Sequence, residues 1–387
     1  MQYVVLNLNI FPCEMCYNKS DITNLIQRED IMAEEKEYVW KQKERTFPWM
    51  LQQAKPPLEK ADRPISVMEN YSRAVTGNHP KWMPAYSWES NTIWPDVVEE
   101  HPVPEVDGLD YWGVYWVMVE IAGGMITKPG TRTFSSIENW RKEVKWPDTE
   151  LFDKIDWKYD GEKIASRMDP ERAHIYECVE GIFERLHEMI PFVDTLLAFV
   201  EEPEETKAFF ERMADYKINC CQRIFDNYGR VDGVLYHDDW GNAKSGFFSN
   251  EMFREFLFEP TKRLMDFIKG QGKFIELHSC GKNMQYVPMM IEMGIDMWTP
   301  QENLNPPDEL FEKYNDRISF AFAVNGLDKP EMTENDVRKV VRDFVDKYGK
   351  NGRVLASLRT PFNAPERAVW ARDELLNYSL EYYDKKW

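Results

Sequence analysis

The sequence predicts an α/β protein, a (β/α)8 (TIM) barrel with an N-terminal helical extension. After residue 230, five short apolar strands alternate with helices of amphipathic pattern. Strands that alternate with helices favour right-handed crossovers and a parallel sheet. No Gly-rich dinucleotide fingerprint follows the first strand of the 387-residue chain, so a closed barrel is favoured over an open doubly wound sheet.

The N-terminal residues differ in character from the rest of the chain. Residues 1–40 are predicted to form an extension that need not belong to the fold, and residues 41–387 are predicted to form the barrel. The segment that begins at Met32 looks like an ordinary protein start. Cys13 and Cys16 form a single C-x-x-C, for which a structural role is favoured over metal or redox chemistry because the motif stands alone.

The residues between the extension and Pro170 carry a mixed pattern of helix, aromatic strand and loop. The predicted elements are a charged helical segment at Val39–Ala61, a helix at Ser66–Val75, a first short strand at Lys81–Tyr86, an aromatic loop and strand at Gly108–Trp116, and a helix that opens at Ile137–Trp140. Gly77 is expected to end the second of these segments, since glycine is common where a helix terminates.

From Asp169 onward the pattern alternates regularly. Helices are predicted at Pro170–Cys178, Gly181–Met189, Pro203–Tyr228, Asn250–Lys269, Met284–Met293, Pro307–Tyr314, Thr333–Tyr348 and Pro365–Tyr383. Strands are predicted at Gly233–Asp239, Phe274–Leu277, Asp296–Pro300, Arg317–Val324 and Arg353–Leu358. The long helices carry apolar residues at helical spacing, and the strands are short apolar runs that end in polar residues.

Charge and hydropathy argue against several classes of protein. The chain has 48 basic and 67 acidic residues, a net charge of −19, and no basic stripe, so a nucleic-acid partner is not expected. No apolar run approaches the roughly 20 residues of a membrane helix. The first residues have no basic n-region, so no secretory signal is expected and the protein is predicted to be cytoplasmic. Six cysteines in a chain of this length do not indicate a disulfide framework.

The most informative stretch is Phe274–Gly281, a short apolar strand that ends in a polar turn. His278 and Cys280 lie two residues apart, so on an extended chain their side chains point to the same side. Imidazole and thiolate are good ligands for zinc, and one cation could contact both. Because the chemistry of such barrels collects at the carboxyl ends of the strands, the polar residues there are site candidates. They are His237, Asp238, Asp239, His278, Cys280, Gln301, Glu302, Asn303, Asn325 and Arg359.

Asp238 and Asp239 are adjacent carboxylates at a strand end. Neighbouring side chains of a strand point to opposite faces, so both cannot enter the mouth of the barrel. One is expected to face the site as an acid, a base or a ligand, and the other to cap a loop. His237, which precedes them, is as compatible with a structural role as with a catalytic one.

Four segments together resemble the uroporphyrinogen decarboxylase superfamily. They are Tyr236–Gly241, Phe253–Pro260, His278–Gly281 and Met293–Asp296, and their order and spacing match over roughly residues 69–386. The Asp-Trp-Gly run in the first segment implies that Asp239, rather than Asp238, faces the site. The His-x-Cys turn is similar to that of the cobalamin-dependent methyltransferases of the superfamily. That similarity implies a zinc ion held by His278 and Cys280, and a corrinoid (cobalamin) carried by a partner protein.

The sequence departs from two patterns of the superfamily. The decarboxylases carry paired arginines that grip the substrate carboxylates, whereas this chain has Leu51 and Lys55 at those positions. The methyltransferases use a further late cysteine, whereas no cysteine follows Cys280. A bound zinc would then be held by two strand-end ligands plus a carboxylate such as Glu302 or Asp239. The missing cysteine disfavours activation of coenzyme M and favours the branch that demethylates methyl ethers.

The resemblance therefore implies a corrinoid-dependent methyltransferase, the O-demethylase component of a larger system. It would transfer a methyl group from a small methoxylated compound, aromatic ethers foremost, to the Co(I) corrinoid of a corrinoid-binding partner protein. Asp239 and His278 are the expected catalytic residues, and His278, Cys280 and Glu302 are the expected metal ligands. The expected substrate-binding residues are Trp82, Tyr86, Trp112, Trp240, Asn325 and Arg359.

Other interpretations stay open on the sequence. His278 could act as a general acid beside a neighbouring thiol, or it and Cys280 could be buried structural side chains. Glu302 could relay protons or cap the turn before Asn305. About half of the aromatic residues could pack in the core, and Arg359 could pair with an acidic loop. A uroporphyrinogen decarboxylase-type carboxy-lyase is the alternative activity, and a binding barrel without enzymatic function is the third interpretation.

Overall fold

The computed structural model describes residues 55–97, 108–119, 124–361 and 363–386. The predicted N-terminal extension, with Cys13 and Cys16, lies outside the described residues, as does most of the helical segment predicted at Val39–Ala61. The described residues form a curled sheet of parallel strands surrounded by helices. The predicted α/β fold of the TIM-barrel type is therefore confirmed.

Ten strands are described, and they form two sheets. In chain order they are β1 Ser90–Ile93, β2 Gly108–Leu109, β3 Tyr115–Val119, β4 Gly124–Thr127, β5 Ala173–Cys178, β6 Gly233–His237, β7 Phe274–Ser279, β8 Met297–Pro300, β9 Ser319–Val324 and β10 Val354–Leu358. Seven parallel strands, in the order β1-β5-β6-β7-β8-β9-β10, make the barrel sheet, and β2, β3 and β4 form a separate antiparallel sheet.

Helices connect and surround these strands. The described α-helices are α1 Val67–Thr76, α2 Trp140–Glu143, α3 Pro147–Glu150, α4 Trp157–Ala165, α5 Ile182–Met189, α6 Phe192–Glu201, α7 Pro203–Asn227, α8 Asn250–Phe253, α9 Glu259–Gly270, α10 Val287–Glu292, α11 Pro307–Tyr314, α12 Glu334–Tyr348 and α13 Pro365–Asp384. A π-helical segment, Arg254–Phe258, joins α8 to α9. Pro260 has no N–H to donate to the preceding turn, which disfavours regular α-helical bonding at this junction. The helices predicted from Pro203 onward are confirmed.

The predicted first strand, Lys81–Tyr86, is reduced to one bridge. Ala85 pairs in parallel with Ala356 of β10, where Tyr86 N donates to Ala356 O and Ala356 N donates to Pro84 O, both at 2.9 Å. Pro84 cannot donate to a ladder, and the chain turns at Ser87, whose φ is 60°. The bridge links the last strand of the sheet to the segment just before β1, which is how the sheet curls back on itself.

The helix predicted at Pro170–Cys178 is wrong, because Ala173–Cys178 is strand β5. Asp169 and the proline after it, which predict a helix start, form only a single turn, in which Asp169 Oδ1 accepts from Glu171 N at 3.0 Å. All six residues of β5 are buried, and the strand pairs with both β1 and β6. Burial on both faces removes the alternation by which a strand is normally recognised, so pattern alone did not reveal it.

The amino-terminal end of the barrel is closed by α1. Its Tyr71, Ala74 and Val75 form a buried cluster with apolar residues from the strands. Those residues are Ala173, Ile175, Phe274, Met297, Ala321 and Leu355. Ser66 caps the start of α1 by accepting from Glu69 N, and Gly77 ends the helix with a φ of 72°, as predicted. Apolar packing is thus concentrated at this end, and the polar groups lie toward the carboxyl ends of the strands.

No helix in the described ranges combines the length and the apolar composition that crossing a bilayer requires.

Candidate functional site

The carboxyl ends of β6 and β7 bring two histidines together. These strands pair in register, with His237 opposite His278. The two imidazole rings are stacked, with centroids 4.8 Å apart and planes 23° from parallel. The turn predicted to organise the site therefore has a neighbour that sequence reasoning left undecided between structure and catalysis.

His278 is held in one orientation by its own neighbours. The Thr299 hydroxyl donates to Leu277 O at 3.1 Å, so its oxygen is left to accept from His278 Nδ1 at 3.1 Å. The unprotonated Nε2 then lies 3.3 Å from Cys280 Sγ. Burial and the charge of His237 lower the pKa of His278 to about 4. His278 is therefore a neutral ligand or acceptor near pH 7, which argues against the general-acid role considered from the sequence.

Backbone contacts fix the turn that follows His278. Cys280 N donates to Asp239 Oδ1 at 2.5 Å, and the Asn283 amide donates to Cys280 O at 2.5 Å. Gly281 has a φ of 96°, and a Cβ there would lie 2.2 Å from the backbone of Gly241. Only glycine fits this close approach, so the thiol and the Asp239 carboxylate are set beside each other by the backbone itself.

Asp238 and Asp239 take the two different roles that strand geometry requires. Asp238 is fully buried and accepts from Glu184 N at 2.9 Å, from Phe183 N at 3.3 Å and from Tyr236 Oη at 2.9 Å. Burial raises the pKa of Asp238 to about 6. Its carboxylate caps the first turn of α5. The residue at the N-cap position of this helix, Gly181, has no side chain that could do so. The Asp239 carboxylate instead accepts from Cys280 N, on the side of the His278–Gly281 turn.

Two glutamates face His237, Glu184 on α5 and Glu180 just before that helix. His237 Nδ1 lies 3.0 Å from Glu184 Oε2 and 3.7 Å from Glu180 Oε2. Burial opposes a charge on His237, but these carboxylates and that of Asp239 outweigh burial and hold the pKa of His237 well above its usual value. Without a bound metal ion, His237 is therefore the positively charged member of the cluster, next to the neutral His278.

Sequence reasoning missed Glu180 and Glu184. Glu180 follows the carboxyl end of β5 in the same way that Asp239 follows β6, so the strand-end rule would have found it. The rule was not applied because β5 was read as a helix. Glu184 lies on α5 and reaches the cluster only through the packing of that helix, which no local pattern indicates.

Two groups of side chains in the described ranges could hold a metal ion. They are His237, Asp239 and His278, and Glu180, Glu184 and His237, each with ligand atoms within 4.8 Å of one another. The predicted ligand Glu302 belongs to neither group. Its carboxylate accepts from Ala323 N at 2.7 Å and lies 3.6 Å from Arg359 Nη2. Glu302 thus contacts Ala323 of β9 and Arg359, apart from both groups, and its role as a metal ligand stays a prediction.

The residues of the first group fit a zinc ion. Its two imidazoles and one carboxylate are donors that zinc prefers, and the Cys280 thiol lies beside His278. Ligands of one tetrahedral zinc lie roughly 3.5 Å apart, close to the 3.3 Å between His278 Nε2 and Cys280 Sγ. His237, Asp239 and His278 are thus the candidate ligands, with the Cys280 thiol next to His278.

Most of the predicted substrate-binding aromatics are core residues. Trp82 is fully buried, and its Nε1 donates to both oxygens of Glu89. Trp112 packs edge-on against Tyr216, with ring centroids 4.8 Å apart, and Trp240 packs edge-on against Phe253 at 4.8 Å. These indoles fill space between elements, so they cannot sandwich a substrate without rearrangement. Asn325 is exposed in the turn after β9, and Arg359 is partly buried beside Glu302.

Tyr86 does face the interior of the barrel. It lines a cavity of about 50 Å³ together with ten other residues. They are Ser87, Ser90, Thr92, Ile175, Glu177, Leu235, His237, Glu276, His278 and Thr299. Tyr71 and Tyr86 donate to Glu276, and burial raises the pKa of Glu276 to about 8 and that of Glu177 to about 7. The cavity beneath the two histidines is therefore lined by protonated carboxyl groups and hydroxyls.

Glu89, the buried partner of Trp82, makes stability depend on pH. Burial raises the pKa of Glu89 from 4.5 to about 7, so folding takes up a proton between these values. The contribution is fully present below pH 4.5 and is lost as pH rises through about 7. We expect the stability of the unaltered protein, relative to Glu89→Gln, to fall by about 1 kcal/mol per pH unit across this window. Urea unfolding at pH 5, 6, 7 and 8 measures it, and equal slopes for both proteins would contradict the assignment.

Comparisons with known proteins found a matching family model and solved structures of low sequence identity. The family model for uroporphyrinogen decarboxylase (URO-D) matches residues 110–358. No curated protein matches the chain. A solved methyltransferase from Methanosarcina mazei is 13% identical, covers 80% of this chain and 99% of its own, and superposes with a TM-score of 0.54. At this identity the likeness shows a shared fold.

Two further solved structures are more distant. The 3-keto-D-glucoside 4-epimerase from E. coli is 13% identical, with a TM-score of 0.32, and covers 66% of this chain and 98% of its own. A putative 2-pyrone-4,6-dicarboxylic acid hydrolase from Pseudomonas putida is 12% identical, with a TM-score of 0.28, and covers 65% and 91%. Both superpositions are too loose to support a functional argument.

Proposed function

The chain belongs to the uroporphyrinogen decarboxylase (URO-D) family, and on that premise we propose that it is a corrinoid-dependent methyltransferase. It transfers a methyl group from a small methoxylated compound, with aromatic ethers as the first class to test, to the Co(I) corrinoid of a partner protein. The single observation that carries the proposal is the group His237, Asp239 and His278 beside Cys280, above the barrel cavity.

Demethylation of an ether needs help at the leaving oxygen. The corrinoid supplies the nucleophile, so the chain needs no reactive serine or cysteine of its own. The barrier lies in the expulsion of an alkoxide or phenoxide, which a proton donor or a Lewis acid facilitates. His237 supports this proposal as the cationic donor, held charged by Glu180, Glu184 and Asp239. In place of that proton, a zinc ion held by His237, Asp239 and His278 would supply Lewis acidity at the leaving oxygen.

The alternative carboxy-lyase activity is less compatible with the charges in the barrel. A polycarboxylate substrate would meet the carboxylates of Glu180 and Glu184, which face His237 above the cavity. Lys55, at a position where the decarboxylases are expected to carry arginine, donates instead to the backbone oxygens of Ser87 and Ser90. The ammonium is thus engaged in fixing a turn rather than directed to a substrate carboxylate.

Anaerobic incubation of the purified protein with cob(I)alamin and a series of methoxylated benzenes tests the proposal. We expect Co(I) absorbance to decay into that of methylcob(III)alamin, with one demethylated phenol formed per methyl group. Zinc analysis of the same preparation reports on the ligand group independently of turnover. Decarboxylation of uroporphyrinogen III would establish the carboxy-lyase instead. Absence of turnover with both substrates, together with absence of bound metal, would favour a binding barrel.

A further inference from the structure

Helix α6 exposes a stripe of apolar side chains to solvent. Val193 is 66% exposed, Leu197 46% and Val200 74%. Their spacing of four and three residues places them on one face of the helix. In the described ranges only Tyr159 and Val369 are comparable exposed large apolar residues, and they lie on other helices. Exposed apolar side chains that concentrate on one face indicate an interaction surface.

The opposite face of α6 is firmly packed, so the exposed stripe has a fixed position. Phe199 is buried, and its ring stacks on that of Phe248 with centroids 5.2 Å apart. Phe192 packs against Phe183 of α5 at 6.3 Å and against Phe247 at 5.1 Å. These aromatic contacts hold the helix in one orientation and turn the valines and the leucine outward.

The stripe lies on the face of the barrel that carries the candidate site. The connection from β5 to α7 contains α5 and α6, and it begins at the carboxyl end of β5. Helix α5 contributes Glu184 to the pair with His237, and α6 follows after two residues. Phe247, which contacts α6, lies in the same loop as Gly241, whose backbone touches Gly281. Through α5 and this loop, α6 is thus packed next to the elements that carry the candidate site.

Carboxylates crowd the end of this stripe. Glu201 and Glu202 end α6, and Glu138 lies against Glu202. Partial burial and these two neighbours raise the pKa of Glu202. A second copy of the chain, with a net charge of −19, would bring like charges together at a symmetric contact. A partner with an apolar patch bordered by lysine or arginine is complementary to this surface.

We propose that Val193, Leu197 and Val200 form the docking surface for the corrinoid-carrying partner protein, whose contact face combines an apolar patch with a basic border. The proposal rests on the proposed function, because methyl transfer requires the corrinoid of the partner to reach the mouth of the barrel. The stripe anchors the partner beside that mouth and leaves the opening itself free for the corrinoid.

Aspartate substitutions in the stripe test this proposal. Leu197→Asp and Val200→Asp change exposed side chains and should leave the fold intact, and Val369→Asp, on α13 and 48% exposed, is the matched control. The acceptors are free cob(I)alamin and a purified, cobalamin-loaded corrinoid-binding protein that binds the unaltered chain. We expect KM for the corrinoid protein to rise at least tenfold in the two stripe variants. Turnover with free cob(I)alamin, and every property of the control, should change by less than twofold.

Calorimetric binding of the cobalamin-loaded protein separates the docking surface from the chemistry. If binding weakens in the stripe variants while no methyl acceptor is turned over, the docking surface stands and the proposed function fails. If free cob(I)alamin is methylated but the stripe variants bind the corrinoid protein as the unaltered chain does, the docking surface is wrong and the function stands. Dissociation of a dimer of the unaltered chain by Val200→Asp would assign the stripe to self-association and overturn the proposal.

Discussion

Replacing His278 with alanine will lower the rate of methyl transfer at least a hundredfold while the barrel stays folded. The substitution removes the neutral imidazole whose Nε2 lies 3.3 Å from Cys280 Sγ, and with it one of the candidate zinc ligands. A group that acts on the leaving oxygen, directly or through a bound metal, contributes about 10²–10⁴ in rate. Initial rates with cob(I)alamin and a methoxylated benzene measure the loss, and zinc content should fall in parallel.

His174 supplies a matched control for the loss of a buried histidine. It lies near the amino end of β5, where its ring contacts Asp169 O and Arg230 O, both at 3.2 Å. His174→Ala should cost about 1–3 kcal/mol of stability, because a buried backbone carbonyl loses its donor, and should keep turnover within about twofold. Full activity of both His278→Ala and Cys280→Ala would show that the site lies elsewhere.

The regular part of the fold was predictable because its local signals agree with its tertiary environment. Helix α11 forms at Pro307–Tyr314 as predicted, with proline in its first turn and acidic residues after it. The failure at β5 has the opposite cause. A proline and a capping aspartate gave a helix signal that the chain uses for one turn only, and burial on both faces then imposed a strand.

The candidate site was predictable where it depends on strand ends and unpredictable where it depends on packing. His278, Cys280 and Asp239 converge because neighbouring parallel strands end together. The opposite charge states of His237 and His278 could not be predicted from the sequence, since they arise from Glu184 on a helix, from burial and from the stacking of the two rings. The same holds for Trp112 and Trp240, whose burial depends on partners distant in the chain.

The pKa values of the two adjacent histidines are shifted in opposite directions. We therefore expect His237 to donate a proton while His278 stays neutral. Carboxylates raise the pKa of His237, whereas burial and the neighbouring positive charge lower that of His278 to about 4. Ring stacking at 4.8 Å makes each state reinforce the other, because one cation discourages a second. Any change that removes negative charge around His237 should therefore lower its pKa and deplete the proton donor.

Asp239→Asn is the substitution that makes this change with the least disturbance of shape. Asparagine can still accept from Cys280 N, which donates to Asp239 Oδ1 at 2.5 Å, so the turn should persist. In the unaltered protein, the negative charge of Asp239 stabilises the cation on His237 or, in its place, a bound metal ion, and the substitution removes that charge. We expect the rate at pH 7 to fall about a hundredfold and the activity that remains to move to lower pH, where His237 is again protonated. The pH profile of turnover measures both effects.

Asp238→Asn, one residue earlier, should affect stability rather than chemistry. The Asp238 carboxylate accepts from Phe183 N, Glu184 N and Tyr236 Oη, and an amide would direct an N–H against at least one of these donors. The cost should be about 1–3 kcal/mol in denaturant unfolding, with turnover per folded molecule less affected than in Asp239→Asn. An unchanged rate in Asp239→Asn would show that the proton donor lies outside this cluster. The two variants are well matched, because the two carboxylates lie on adjacent residues and differ in the face of the strand on which they lie.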